Sequence, residues 1–345
     1  MNLITFNCRV TTPMFSGDAF QNAEIRPTEI KAAIRFWWRA VNHDKDTKSL
    51  YKNESKIFGT GGEDSVKSIF SISTTQHDFC LEPLMKKTLR DKLGGTDRDI
   101  DILLYLGFGP ISPKQALTKS YIKPGSEFKV SFNFQSGTDS HIVDSICQSF
   151  VDISLFGGIG GRSRNGFGKF CIIDSERKEL CYDIEKRFKQ LISGSPKDYT
   201  AFSEKSILYK LRATQGSWEA TLFELGKIYR SGRSGNKYFN ESGIDSRHNV
   251  ALRQYIAAPV ETNSGSQQDI RKSFLDRHAK SLFLNVTEQS DKKYNGYILF
   301  LPYNYLQNKP HEIQFNRNVS NTGTNYQNAY NALNDIFSSK LDQIK

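Results

Sequence analysis

Apolar and polar positions alternate from the start of the chain. Over residues 2–10, Ile4, Phe6, Cys8 and Val10 interleave with Leu3, Thr5 and Asn7, the period of a half-buried strand. A polar, Gly-containing loop follows over residues 11–26. Pro27-Thr28-Glu29 then starts a helix, with proline near the first position and an acid in the first turn, and the helix is expected to reach Asn42. After a glycine-rich loop at residues 59–62 comes a strand over 68–73. Residues 81–107 show no clear period. Residues 126–134 alternate cleanly as a strand, and 138–155 place Ile142, Ile146, Phe150 and Ile153 near one helix face. A second glycine-rich loop over 157–168 leads into a strand at 169–173.

Strand, helix, strand, strand, helix, strand is the ferredoxin-like order, complete near residue 175. The expected class is α+β, with two ferredoxin-like (RRM-like, βαββαβ) domains over residues 1–178 and 179–345. The charged stretch to about residue 200 contains Ser193-Gly194-Ser195-Pro196 and reads as a linker or connecting helix. Beyond it, Trp218, Leu222, Leu225 and Tyr229 mark an amphipathic helix at 217–230. Strands at 281–286 and 297–301 flank a hairpin connection at 290–296, and a helix is expected over 325–343. The second ferredoxin-like unit has no repeat visible at sequence level.

Composition adds a partner class. The 345 residues carry a net charge of +10, with a pI near 9.2 and 12% aromatic residues. A cationic chain of this size is either a soluble protein with a basic surface or a binder of polyanions. Cys8, Cys80, Cys147, Cys171 and Cys181 are scattered and odd in number, which argues against a disulfide framework and against a zinc site. There is no apolar leader and no run of membrane-spanning length, so a soluble, cytoplasmic protein is expected.

Three clusters bear on a polyanion. On a wheel of ~100° per residue, Ile30, Ala33, Ile34, Trp37 and Val41 share one side of the first helix. Lys31, Arg35 and Arg39 form a stripe on another, bordered by Trp38. That stripe either holds phosphates, with Trp38 stacking on a base, or solvates the outer face while both tryptophans pack inside. The loop at 157–168 carries Gly157, Gly158, Gly160, Gly161, Gly166 and Gly168 with Arg162 and Arg164, and Lys169 follows it. Backbone N–H groups beside guanidinium groups can cradle phosphate, and the same glycines also suit a tight structural turn. No G-K-[ST] follows, and the glycines come after a helix and before a strand, so the loop is neither a Walker loop nor a Rossmann turn. The third cluster is Arg230, Arg233 and Lys237, followed by Arg247 and Arg253. His43, His77, His141, His248, His278 and His311 show no metal-ligand spacing, and nothing marks Asp18 above other loop acids.

The chain resembles the RAMP superfamily, and within it the two-domain subunit of type III-B (Cmr) CRISPR effector complexes that caps the guide-RNA 3′ end. Thr12-Pro13-Met14-Phe15-Ser16-Gly17 is similar to that family's T-P-x-F-x-G. Residues 24–40 are similar to its R-P-x-x-[IL]-K-G-x-[IL]-R-F-W-W-R-A signature, and the 157–168 loop to the superfamily's glycine-rich loop. Ala32 departs from the pattern, standing where the family has glycine. These motifs lie in residues 12–169; for the second half the resemblance rests on length.

The resemblance implies two ferredoxin-like domains and a non-catalytic role near the 3′ end of the guide RNA, where the subunit helps capture target RNA. It implies guide RNA, target RNA and other complex subunits as partners, and no cofactor, metal or membrane. Carried over by motif, the RNA-facing candidates are Lys31, Arg35, Arg39, Arg162 and Arg164, with backbone contacts from the six loop glycines; Trp38 either faces RNA or packs in the core, and Lys169 adds positive charge beside the loop. The alternative is a RAMP endoribonuclease that processes guide precursors. It needs a His or Tyr base near the glycine-rich loop, and the sequence offers no clear one beside it. A scaffold without RNA contact is the third option.

Overall fold

The structure is a computed structural model and describes residues 2–20, 22–43, 46–63, 65–76, 90–92, 99–111, 120–234, 279–304, 312–315 and 318–344. Its elements in the first half are β1 (Asn2–Val10), α1 (Pro27–Val41), α2 (Thr47–Phe58), β2 (Phe70–Gln76), β3 (Arg90–Lys92), β4 (Asp99–Asp101), α3 (Ile102–Gly107), β5 (Glu127–Phe134), α4 (Ser140–Phe156) and β6 (Phe170–Ser175). Then come α5 (Ile184–Leu191), β7 (Ile207–Lys210), α6 (Trp218–Ser234), β8 (Leu282–Glu288), β9 (Tyr294–Phe300), β10 (Glu312–Phe315), β11 (Asn318–Asn321), α7 (Thr322–Lys340) and β12 (Asp342–Ile344).

Two four-stranded antiparallel sheets organise the chain, in the orders β2-β5-β1-β6 and β12-β7-β9-β8. Each sheet places its first strand between its fourth and its third. The second therefore repeats the arrangement of the first, although its strands β7 and β12 have only 4 and 3 residues. Strands so short carry too few alternating positions to show in the sequence.

The alternation in β1 works as expected. Ile4, Phe6 and Cys8 are buried, while Thr5 and Asn7 face outward beside Ser131 and Lys129. Phe6, Phe132 and Phe150 of α4 meet at centroid distances of 5.0–5.8 Å, so the inner face of the first sheet packs on the helices.

The second sheet is buried on both faces. Leu208, Phe283, Tyr297 and Leu299 join the apolar cluster that contains Trp37, Phe156 and Phe202. On the opposite face, Tyr209, Leu284, Ile298 and Phe300 pack with Leu222 and Tyr229 of α6 and with Leu333 and Phe337 of α7. The layers run sheet, helices α1 and α4, sheet, helices α6 and α7. Helix α1 is thus enclosed on two sides, and that decides the fate of both its tryptophans.

Candidate nucleic-acid interface

Helix α1 begins with Pro27 in its first turn and Glu29 near its positive end, as its sequence suggests. Trp37 points at the second sheet, 5.4 Å from Phe283 and 5.8 Å from Phe156 between ring centroids. Trp38, ~100° further round, points at α2 and the first sheet, edge-on to Phe58 at 5.9 Å. It is 3% exposed, so it is a core residue in this conformation and not a platform for a base.

The cationic stripe meets α2. Arg35 Nε and Arg39 Nη1 both donate to Glu54 Oε1, at 2.7 and 2.8 Å. The Glu54 side chain is 5% exposed, while Arg35 and Arg39 keep 41% and 37% of theirs in solvent. One buried carboxylate between two guanidinium groups leaves the cluster cationic. Lys31 is half-buried with its Nζ 5.4 Å from the centre of the Phe70 ring, and burial, then the charge of Arg35, lowers its pKa. Arg35 and Arg39 therefore clamp α2 and still present charge outward. Nothing in the apolar pattern announced α2, because its buried side includes Glu54 beside Leu50, Ile57 and Phe58.

The glycine-rich loop is stitched to the Thr12–Gly17 motif. Gly161 N donates to Phe15 O at 2.9 Å and Gly168 N to Pro13 O at 2.8 Å. Thr12 Oγ1 bridges the two segments, donating to Gly166 O at 2.8 Å and accepting from Lys169 N at 3.0 Å. The amides of Gly157, Ile159, Asn165 and Gly166 also bond within the protein. A phosphate cradle needs N–H groups aimed at a ligand, and most of these are aimed at the chain itself.

Space explains the glycines as well. At Gly168, with φ +67°, a Cβ would stand 1.8 Å from Ile159 O; at Gly160, with φ +90°, it would stand 2.7 Å from Phe15 O. At Gly157 a Cβ would reach 2.4 Å from Trp37 Nε1, and at Gly166 2.4 Å from Leu222. Close approach is required, as expected of such a loop, but by the protein's own segments. Gly158 lies against Gly168 O in the same way, at 3.0 Å.

Two loop cations are corrected in role. Lys169 is 1% exposed, with Nζ donating to Gly157 O and to Asn285 Oδ1 of β8. Burial pushes its pKa well below the ordinary lysine range. It ties the first half to the second and does not reach an external phosphate. Arg164 is half-buried between Phe36 and Phe283, its guanidinium carbon 5.1 and 4.7 Å from the ring centres, and Nη1 donates to Lys280 O. Burial lowers its pKa. Arg162 is exposed, in a left-handed conformation at φ +61°.

Other candidates separate. Asp18 accepts from the amides of Phe20 and Asn22 at 2.8 and 2.9 Å and fixes a turn; its pKa is lowered, first by the Asn22 side-chain hydrogen bond. Arg230 is buried in α6. Lys237, Arg247, Arg253, His77, His248, His278 and His311 lie outside the described residues, as does the side chain of Arg233. Among the described residues no group of three or more His, Cys, Asp or Glu could hold a metal ion, and no helix is long and apolar enough to cross a membrane.

A threonine-proline turn laced to a glycine-rich loop accompanies the arginine-tryptophan helix, and residues 7–171 match the RAMP superfamily. No curated protein sequence matches the chain. Among solved structures the chain is similar to Cmr1 from Pyrococcus furiosus in its apo form, with 17% identity and a TM-score of 0.58 over 100% of this chain and 99% of that one. It is also similar to a chain of the type III-B Cmr-beta complex bound to cognate target RNA, with 13% identity and a TM-score of 0.51 over 97% and 99%. A second structure of that complex, with target RNA, AMPPnP and single-stranded DNA, gives 15% identity and a TM-score of 0.51 over 96% and 99%. At these identities the likeness is one of fold.

Proposed function

We propose that the protein is a non-catalytic, RNA-binding subunit of a type III-B CRISPR effector complex. It sits near the 3′ end of the guide RNA and helps capture target RNA in antiviral defence. The observation that carries this reading is the end-to-end likeness in fold to Cmr1, over 100% of this chain and 99% of that one. The R-F-W-W-R string in α1 supports it. Both halves are ferredoxin-like in this reading, since each sheet sets its strands in the order fourth, first, third, second.

A guide varies in sequence, so the subunit holds phosphates rather than reading bases. The contacts assigned to RNA are Lys31, Arg35, Arg39 and Arg162. Trp38, Arg164, Lys169 and the loop glycines set the shape that presents them. Its partners are guide RNA, target RNA and the other subunits, in the cytoplasm.

Reconstitution tests the assignment. Mixed with the remaining type III-B subunits and a guide, the protein is expected to co-elute with the assembly in size-exclusion chromatography; persistent elution as a free chain would contradict it. Incubation with repeat RNA in the absence of metal should leave the RNA intact. Specific cleavage, abolished by substituting one histidine or tyrosine, would instead establish the guide-processing endoribonuclease.

A further inference from the structure

Helix α2 covers the arginines of α1 and carries a cationic stripe of its own. Lys48, Lys52 and Lys56 are all exposed and recur every fourth residue, on one side of the helix. Their backbone positions rise ~6 Å per step, comparable to the separation of successive phosphates along a stretched single strand. Among the described residues none of the three pairs with a carboxylate. Glu54, the one acidic residue of α2, is turned inward to Arg35 and Arg39.

Stability alone does not account for this stripe. Like charges four apart on a helix repel, and a solvated face ordinarily intersperses acids between them. Lys48 also stands in the first turn, where the helix end is already partly positive. Tyr51 borders the stripe and is 64% exposed, an aromatic ring presented to solvent beside three ammonium groups. Cations that track a backbone, with a ring on which a base can stack, form the elementary unit of single-strand binding.

We infer that the outer face of α2, formed by Lys48, Lys52, Lys56 and Tyr51, is a contact surface for single-stranded RNA. The three lysines hold consecutive phosphates, and Tyr51 stacks on a base. The inference rests on the RNA-binding reading above and adds to it a surface outside the family motifs, on a helix those motifs do not include. An acidic protein would also meet three lysines, but it would have no use for an exposed ring that stacks on bases.

The test is fluorescence anisotropy of the full chain with a labelled single-stranded RNA of mixed sequence, titrated with salt. Each phosphate contact contributes about 0.7 to the slope of log affinity against log salt for single strands. The K48Q/K52Q/K56Q variant should therefore lose about 2 from that slope, which is roughly a hundredfold weaker binding at about 0.1 M salt and little change near 1 M. Tyr51→Ala should leave the slope unchanged and lose the photocrosslink to 4-thiouridine RNA. All four side chains are exposed, so unchanged thermal melts will show the variants folded.

Binding by the unaltered protein with an unchanged slope in the triple variant would overturn the α2 surface and leave the broader reading standing. No binding by the unaltered protein would overturn both. Labelled poly-glutamate bound more tightly than RNA, and insensitive to Tyr51→Ala, would assign the face to an acidic protein and overturn the inference.

Discussion

Lys169 and Asn285 offer a direct probe of how the two halves are joined. The amine comes from the end of the glycine-rich loop and the amide from β8, and the pair is buried. Asn285→Leu removes one acceptor from a buried amine, at a cost of about 1–3 kcal/mol for a buried donor left unsatisfied. Lys169→Met leaves Gly157 O and Asn285 Oδ1 without their donor. At about 1–3 kcal/mol for each stranded acceptor, less what is regained by no longer burying an amine, the net loss is about 2 kcal/mol. The double variant strands only Gly157 O. Its loss should fall short of the sum of the single losses by about 2 kcal/mol, within the range of coupling between residues in contact. Urea unfolding of the four proteins, analysed as a double-mutant cycle, measures that coupling. Losses that add to within about 0.5 kcal/mol would show that the pair does not act together and would refute the reasoning.

The same lysine gives a pH dependence. Its folded pKa lies below the unfolded value of about 10.4, so between the two the unfolded chain binds the extra proton and stability rises with pH. Lys169→Met should flatten the rise in urea midpoint with pH below about pH 10; an unchanged slope would place its origin elsewhere. Gly168→Ala combines a left-handed φ with a Cβ 1.8 Å from Ile159 O and should cost more than about 3 kcal/mol, whereas Gly62→Ala, at φ +99° with nothing within 4 Å, should cost about 1 kcal/mol. Equal losses in thermal melts would contradict the packing role of the loop. Glu54→Gln should lower stability by about 2 kcal/mol, less than a fully buried pair because Arg35 and Arg39 remain partly solvated, and should raise RNA affinity severalfold by removing a carboxylate from the cationic cluster. A fall in affinity would be inconsistent with Arg35 and Arg39 as RNA contacts.

Much of the first half is legible in the sequence because its elements each bury one face. The alternations at 2–10 and 126–134 and the helical period at 138–155 correspond to β1, β5 and α4 within two residues. The hairpin of β8 and β9 is legible for a different reason: buried on both faces, its strands read as short continuous apolar runs. Helix α2 is not, because a glutamate occupies its buried side and breaks the apolar period. The wheel for α1 assumes one buried face, but the helix lies between two layers, so two tryptophans ~100° apart are both interior.

The loop shows a different limit. Glycines announce close approach, and nothing in a linear pattern says whether a ligand or the chain itself approaches. Here Phe15, Trp37 and Leu222, distant in sequence, do so. Lys169 was equally opaque, since its acceptor Asn285 lies 116 residues away.

The central claim is most directly tested in the assembled complex. Guide RNA or target RNA carrying 4-thiouridine at single positions, irradiated in a reconstituted type III-B assembly, reports which nucleotides touch this subunit. Crosslinks confined to the 3′ portion of the guide and to target RNA paired there, reduced by charge reversal at Arg35 and Arg39, are the predicted result. Crosslinks confined to the 5′ end, or an assembly that forms with no crosslink to this chain at any position, would contradict it.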